Sequence, residues 1–232
     1  RFSSSALRNS PTTAAGSTVL EIQARRRAAC SGIHRYPDGA SFSLRSRLAP
    51  RLGVAEDQLV FGSGADEILE LLAKTLLGRG DEVVYAWPSF AMYPIVVKGM
   101  GATPVPVPLD SQLVHDLPAM ARAVTKRTKL VFVCNPNNPT GTSVGARDFA
   151  AFVEALPRDL VLAIDEAYFE FVRREDFPDA IALVARRPGT IVLRTFSKIY
   201  GLAGLRIGYG VADRELAGYL QPSYIKLVPK KD

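Results

Sequence analysis

The chain has 232 residues, 47% of them apolar and 22% charged, with a formal net charge of +6. That length supports one large domain, or one and a half, and the composition excludes a fibrous or wholly disordered chain. Two cysteines (Cys30, Cys134) and two histidines (His34, His115) leave little for a disulfide framework, a zinc site or a His-based triad, and no metal site is expected.

No run of 18 apolar residues occurs, so no membrane-spanning helix is expected. Apart from Arg25-Arg26-Arg27 and Lys230-Lys231 the basic residues are scattered, without a basic stripe and interleaved aromatics. Nucleic acid is therefore not the expected partner. The charge reads as a general surface property with mild affinity for anionic, phosphorylated small molecules. Residues 1–18 hold Ser, Thr, Ala and two Arg but no acid. They fit a transit-peptide remnant or an ordinary irregular terminus, giving an organelle or the cytoplasm as the expected location.

Residues 19–29 have a helical pattern, and HRYPDGAS at 34–41 is a turn cluster. A helix is predicted over 42–52 with Phe42, Leu44 and Leu48 inward, then a turn at 55–58 and a strand at 59–61. GSGADE at 62–67 opens a helix that ends at Gly78 and Gly80. Further strands are predicted at 82–86, 102–107, 129–134, 160–164, 190–194 and 205–211. Helices are predicted at 88–97, 113–123, 147–156 and 181–186. Short apolar strands alternating with helices give βαβ units around a mainly parallel sheet.

Ligands of such sheets sit at the carboxyl ends of strands. Four polar clusters fall there: GSGADE after 59–61, NPNNPTG after 129–134, DEAY after 160–164 and TFSK after 190–194. GSGADE can cradle a phosphate on the N–H groups of Ala65 and Asp66, or simply be a tight turn with acids in a first helical turn. Its glycines do not run G-x-G-x-x-G, so it is no dinucleotide fingerprint. Asn138 can offer its amide to a ligand or cap its own turn. Asp165, ending an apolar strand, needs a cationic partner, either a pyridinium N–H or a nearby Arg. Tyr168 lies three residues on. Phe90 can stack on a flat ring or pack in the core. In 194–208, RTFSKIYGLAGLRIG, hydroxyls at Thr195 and Ser197 precede Lys198, and Arg206 sits among glycines. Such a stretch can hold a phosphate and present an amine for a Schiff base, or Lys198 can be one exposed Lys among many.

Together HRYPDG, GSGADE, WPSFAMY, CNPNNPTG, DEAYFEF and RTFSKIYGLAGLRIGY resemble, in order, the motifs of the fold-type I pyridoxal-phosphate aminotransferases, and within them the histidinol-phosphate aminotransferases. The resemblance covers residues 34–212. It implies a three-layer α/β/α large domain and pyridoxal 5′-phosphate as cofactor. Lys198 would carry the Schiff base and move the proton, and Asp165 would pair with the pyridine nitrogen. Tyr168 and Asn138 would bond the phenolic oxygen, and Phe90 would stack on the ring. Ala65, Asp66, Ser197 and Arg206 would bind the phosphate, with Thr195 assisting. Tyr36 would reach the phosphate of a neighbouring subunit, implying a homodimer. The implied reaction exchanges an amino group between L-histidinol phosphate and 2-oxoglutarate. An aromatic-amino-acid aminotransferase, a threonine-phosphate decarboxylase or an inactive cofactor-binding fragment are the alternatives. The expected organisation is an irregular segment 1–30, a cofactor domain 31–212 and a divergent tail 213–232. A family member would continue into a small domain after that point, so the chain reads as C-terminally truncated.

Overall fold

The computed structural model describes residues 38–221, together with 24, 27, 28, 30–32 and 34. The chain divides into two compact units, residues 1–41 and 42–232. In the first, the described segment Cys30–Gly32 is a 3-10 turn, preceded by a Ser31 hydroxyl bond to the Ala28 carbonyl at 2.8 Å. The expected helix over 19–29 and Tyr36 lie largely or wholly outside the described residues.

Among its described residues the second unit carries seven strands: β1 (Leu59–Ser63), β2 (Glu82–Trp87), β3 (Thr103–Pro108), β4 (Thr128–Cys134), β5 (Val161–Asp165), β6 (Thr190–Thr195) and β7 (Ile207–Ala212). They form one sheet in the order β1-β7-β6-β5-β4-β2-β3. The pairs among β2 to β6 are parallel, whereas β7 runs antiparallel to both β6 and β1. Among the described residues of this unit seven helices accompany the sheet: α1 (Phe42–Leu52), α2 (Gly64–Leu76), α3 (Met92–Gly99), α4 (Leu117–Arg122), α5 (Ala146–Ala155), α6 (Ala180–Arg186) and α7 (Arg214–Leu220).

Both sheet faces are covered, so the central strands read as nearly continuous apolar runs instead of alternating ones. On one face Tyr85, Phe132, Ala163 and Leu193 pack with Ile68 and Leu72 of α2, Tyr93 of α3 and Leu216 and Leu220 of α7. On the other, Val131, Val133, Ile164 and Val192 pack with Met120 of α4, Phe149 and Phe152 of α5 and Val184 of α6. Each fully buried Leu or Ile contributes about 1.5–3 kcal/mol. The result is the expected three-layer α/β/α arrangement.

Local chemistry moves several predicted boundaries. Phe42 is 65% exposed and does not face inward; Ala49 is the fully buried residue of α1. The helix predicted from Pro88 starts at Met92, because the Asn137 amide holds the Pro88 carbonyl at 3.2 Å and the Ser89 hydroxyl donates to Asn137 Oδ1 at 2.7 Å. The helix predicted from Leu113 starts at Leu117. Asp110 draws the Gln112 and Val114 N–H groups into a turn, Leu113 adopts φ 61°, and Asp116 caps the helix by accepting from Ala119 N at 2.8 Å. After β7 the chain makes a further helix, α7, capped by Asp213 at the Glu215 and Leu216 N–H groups. Among the described residues no helix is long and apolar enough to cross a membrane, and no group of three or more His, Cys, Asp or Glu could hold a metal ion.

Candidate active site

The parallel strands β4, β5 and β6 end in Cys134, Asp165 and Thr195, all at one edge of the sheet. β1 runs the same way and ends at Ser63, opposite Ile207. Because β7 is antiparallel, it begins where its neighbours end, which delivers Arg206 to the same edge. A cavity of about 270 Å³ opens there. Ala65, Asp66, Phe90, Asn138, Asp165, Tyr168, Thr195, Ser197, Lys198 and Arg206 line it, joined by Gly64, Cys134, Ala167 and Ala203. Every site residue expected from the sequence is therefore brought together except Tyr36, which is outside the described residues.

One end of the cavity is built to receive an anion. α2 opens at Gly64 with no side-chain cap, so the first-turn N–H groups of Ala65 and Asp66 have no intrahelical acceptor. Arg206 crosses this helix start. Its Nη2 donates to Asp66 Oδ2 at 3.1 Å and to the Ser63 carbonyl at 3.4 Å. The Gly64 N–H in turn donates to the Arg206 carbonyl at 3.0 Å. Arg206 itself sits in the left-handed region at φ 52°, closing the 3-10 turn Ala203–Leu205. Gly64 sits at φ 74°, where side chains are strained, with Arg206 Nη2 2.4 Å from where a Cβ would lie, and a Cβ on Gly208 would lie 2.3 Å from the Ala65 backbone N. The Thr195 hydroxyl donates to Ser197 Oγ at 2.9 Å and accepts from the Ser197 N–H at 3.1 Å, which folds the end of β6 toward the same cup.

The opposite wall is carboxylate and aromatic. Asp165 is 3% exposed. Its Oδ2 accepts from the Tyr93 hydroxyl at 2.9 Å and its Oδ1 from the Ala167 N–H at 3.1 Å. Burial pushes its carboxyl above the ordinary range, while the Tyr93 and Ala167 donors and the Lys198 charge pull it down and Asp66 pushes it up. Among the described residues Asp165 makes no ion pair. Arg194, at the end of the neighbouring strand, pairs with buried Glu166, at 2.8 Å through Nη2 and 2.9 Å through Nε. Arg194 also lies 3.7 Å from the centroid of the Phe169 ring. Cys134, beside Asp165, is held protonated by burial, which pushes its thiol up to about 12.

Lys198 is exposed at the cavity, its Nζ 5.0 Å from the Tyr168 ring centroid. The asparagines of NPNNPTG divide their work. Asn135 bonds both backbone groups of Val144, Asn137 binds Pro88 and Thr140, and Asn138 is the one that lines the cavity. Sequence reasoning missed Tyr93, whose only signal was its place three residues after Phe90 in WPSFAMY.

An α/β domain with an amine, a desolvated carboxylate and uncapped helix-start N–H groups around one cavity can anchor a phosphorylated ligand and form a bond to it. Comparison with known proteins agrees. The profile of the family "Aminotransferase class I and II" matches residues 6–223. An aromatic amino acid aminotransferase of Streptomyces avermitilis is 48% identical over 193 residues, covering 83% of this chain and 54% of its own. A histidinol-phosphate aminotransferase of Moorella thermoacetica is 50% identical over 185 residues, 79% of this chain and 48% of its own. The crystal structure of histidinol-phosphate aminotransferase from Sinorhizobium meliloti in complex with pyridoxal-5′-phosphate superposes with a TM-score of 0.78 at 33% identity, covering 90% of this chain and 55% of that one. The chain belongs to the class I and II aminotransferase family, and it spans about half the length of the curated relatives it matches.

Proposed function

We propose that the cavity at the carboxyl edge holds pyridoxal 5′-phosphate and that the protein takes part in transamination. The observation that carries this reading is the meeting of Lys198, buried Asp165 and the Arg206–α2 anion cup in one cavity. The residues fit the group. Asp165 is a desolvated carboxylate without an ionic partner among the described residues, which a protonated ring nitrogen would supply.

In this reading Ala65 and Asp66 bind the phosphate through backbone N–H groups. Ser197 and Thr195 add hydroxyls, and Arg206 adds charge. Asp66 contributes only its N–H, since its carboxylate is engaged with Arg206. Asn138 and Tyr168 bond the phenolic oxygen, and Phe90 stacks on the ring. The cofactor supplies the electron sink for a carbanion. Lys198 would be the amine that holds the cofactor covalently, and as a free amine it would move the proton at the substrate Cα. Tyr36 reaching a second copy's phosphate, and with it a homodimer, belongs to the same proposal. The amino donor is L-histidinol phosphate or an aromatic amino acid, with 2-oxoglutarate as acceptor. The sequence HRYPDG favours the first, and the 48% identity to an enzyme named for aromatic amino acids favours the second.

Titrating purified protein with pyridoxal phosphate is expected to raise a visible absorbance band that Lys198→Ala abolishes. No band in the wild type overturns the cofactor assignment. The ratio of kcat/KM for histidinol phosphate to that for phenylalanine, measured on the protein, separates the two donors.

A further inference from the structure

Tyr93 does not line the cavity, yet it touches three residues that do: Asp165, Phe90 and Cys134. It is the second residue of α3 and is wholly buried. Its ring stacks on Phe132 at 4.5 Å between centroids with 9° between planes. Phe90 meets it edge-on at 5.8 Å, and Tyr85 lies 5.9 Å away. Phenylalanine would fill this space equally well, so the packing does not explain the hydroxyl. A buried phenol needs a partner, and this one's partner is Asp165 Oδ2 at 2.9 Å.

Resting on the cofactor reading above, we propose that Tyr93 is a positioning residue for the cofactor: its hydroxyl fixes the Asp165 carboxylate in the rotamer that meets the ring nitrogen. With the Ala167 N–H on Oδ1 and Tyr93 on Oδ2, both oxygens are held and each keeps one further acceptor position. Bonds donated to the ionised form favour it, which opposes the desolvation that burial imposes. The charged and titratable groups around Asp165 are Tyr93, Cys134, Asp66 and Lys198, from α3, β4, α2 and the loop after β6. Of these only Tyr93 donates to the carboxylate. The same ring braces Phe90, so one residue of α3 sets both the nitrogen partner and the aromatic wall.

The test is Tyr93→Phe, which deletes one oxygen and keeps the ring. Pyridoxal-phosphate affinity, read by absorbance from about pH 5 to pH 9, is expected to fall about ten-fold at neutral pH, as for a lost hydrogen bond to a charged group. The acidic limb of the affinity profile is expected to move up by about one pH unit, because Asp165 then protonates more readily. Phe132→Leu disturbs the stack without touching the hydroxyl. It should lower the melting temperature and leave the acidic limb in place. A Tyr93→Phe protein with wild-type affinity and an unmoved limb overturns the proposal, as does an equal limb shift in Phe132→Leu. A cofactor-free readout stands beside these. In thermal unfolding, the cost of Tyr93→Phe is expected to shrink at least several-fold in an Asp165→Ala background; strict additivity of the two changes overturns the bond on which the proposal rests. If wild type binds no cofactor, the cofactor reading fails on that result, and the unfolding cycle still decides whether the bond exists.

Discussion

Asp165 shows how a functional residue works against the fold that carries it. Its carboxylate is buried, bonded to two neutral donors and unpaired with any cation among the described residues. Its pKa in the folded chain therefore lies above its unfolded value. The folded state holds that proton to higher pH than the unfolded chain does, so stability drops as pH rises from the unfolded pKa through the folded one. Replacing Asp165 by Asn removes the buried charge. At neutral pH the cofactor-free Asp165→Asn chain should be more stable than wild type by about 1–3 kcal/mol, the scale of removing an unpaired buried charge. The difference should shrink toward zero near pH 4, where an unfolded Asp is about half protonated. Denaturant titrations at several pH values check this, and a gap that does not change with pH would contradict it. The same substitution should weaken pyridoxal-phosphate binding. Glu166, one residue on, differs because Arg194 answers its charge, although its Oε1 is buried without a partner.

The decisive element is β7. Antiparallel between β1 and β6, it turns the chain back so that Arg206 arrives at the edge where Ser63 and Thr195 end. Gly208 faces the start of α2 so closely that a Cβ would meet Ala65 N at 2.3 Å and the Gly64 carbonyl carbon at 2.4 Å. Those atoms are backbone and cannot swing aside. Gly208→Ala should therefore cost about 2–3 kcal/mol or more, at the upper end of overpacking, and displace the N–H groups of Ala65 and Asp66. Thermal unfolding and cofactor titration report the two effects; an unchanged melting temperature would show that α2 is free to shift. The direction of β7 was not legible in the sequence. Its residues, Ile207 to Ala212, are apolar whether the strand is parallel or antiparallel, since both faces are covered. The strand positions were legible to within a residue or two, because buried runs such as LVFVC are unambiguous. The starts of α3 and α4 were not, because long-range bonds from Asn137 and local bonds from Asp110 override helical pattern. Helix α7, whose Leu216, Ala217 and Leu220 are buried, went unpredicted because only three core residues mark it.

At the scale of the whole unit, the sheet is covered on both faces, and the polar clusters of four separated motifs converge on one edge of it. Ten of the eleven residues singled out from the sequence line one cavity, most of them because they follow the carboxyl ends of parallel strands. Tyr93 was not legible, because an aromatic within an apolar helix looks like core until its hydroxyl is placed against Asp165. On the proposed reading this edge binds pyridoxal phosphate covalently through Lys198. The most direct test is borohydride reduction of the protein mixed with one equivalent of cofactor, followed by peptide mass mapping. The pyridoxyl group is expected on the peptide carrying Lys198 and absent from Lys198→Ala. Label spread over surface lysines, and equal in that variant, would contradict the account.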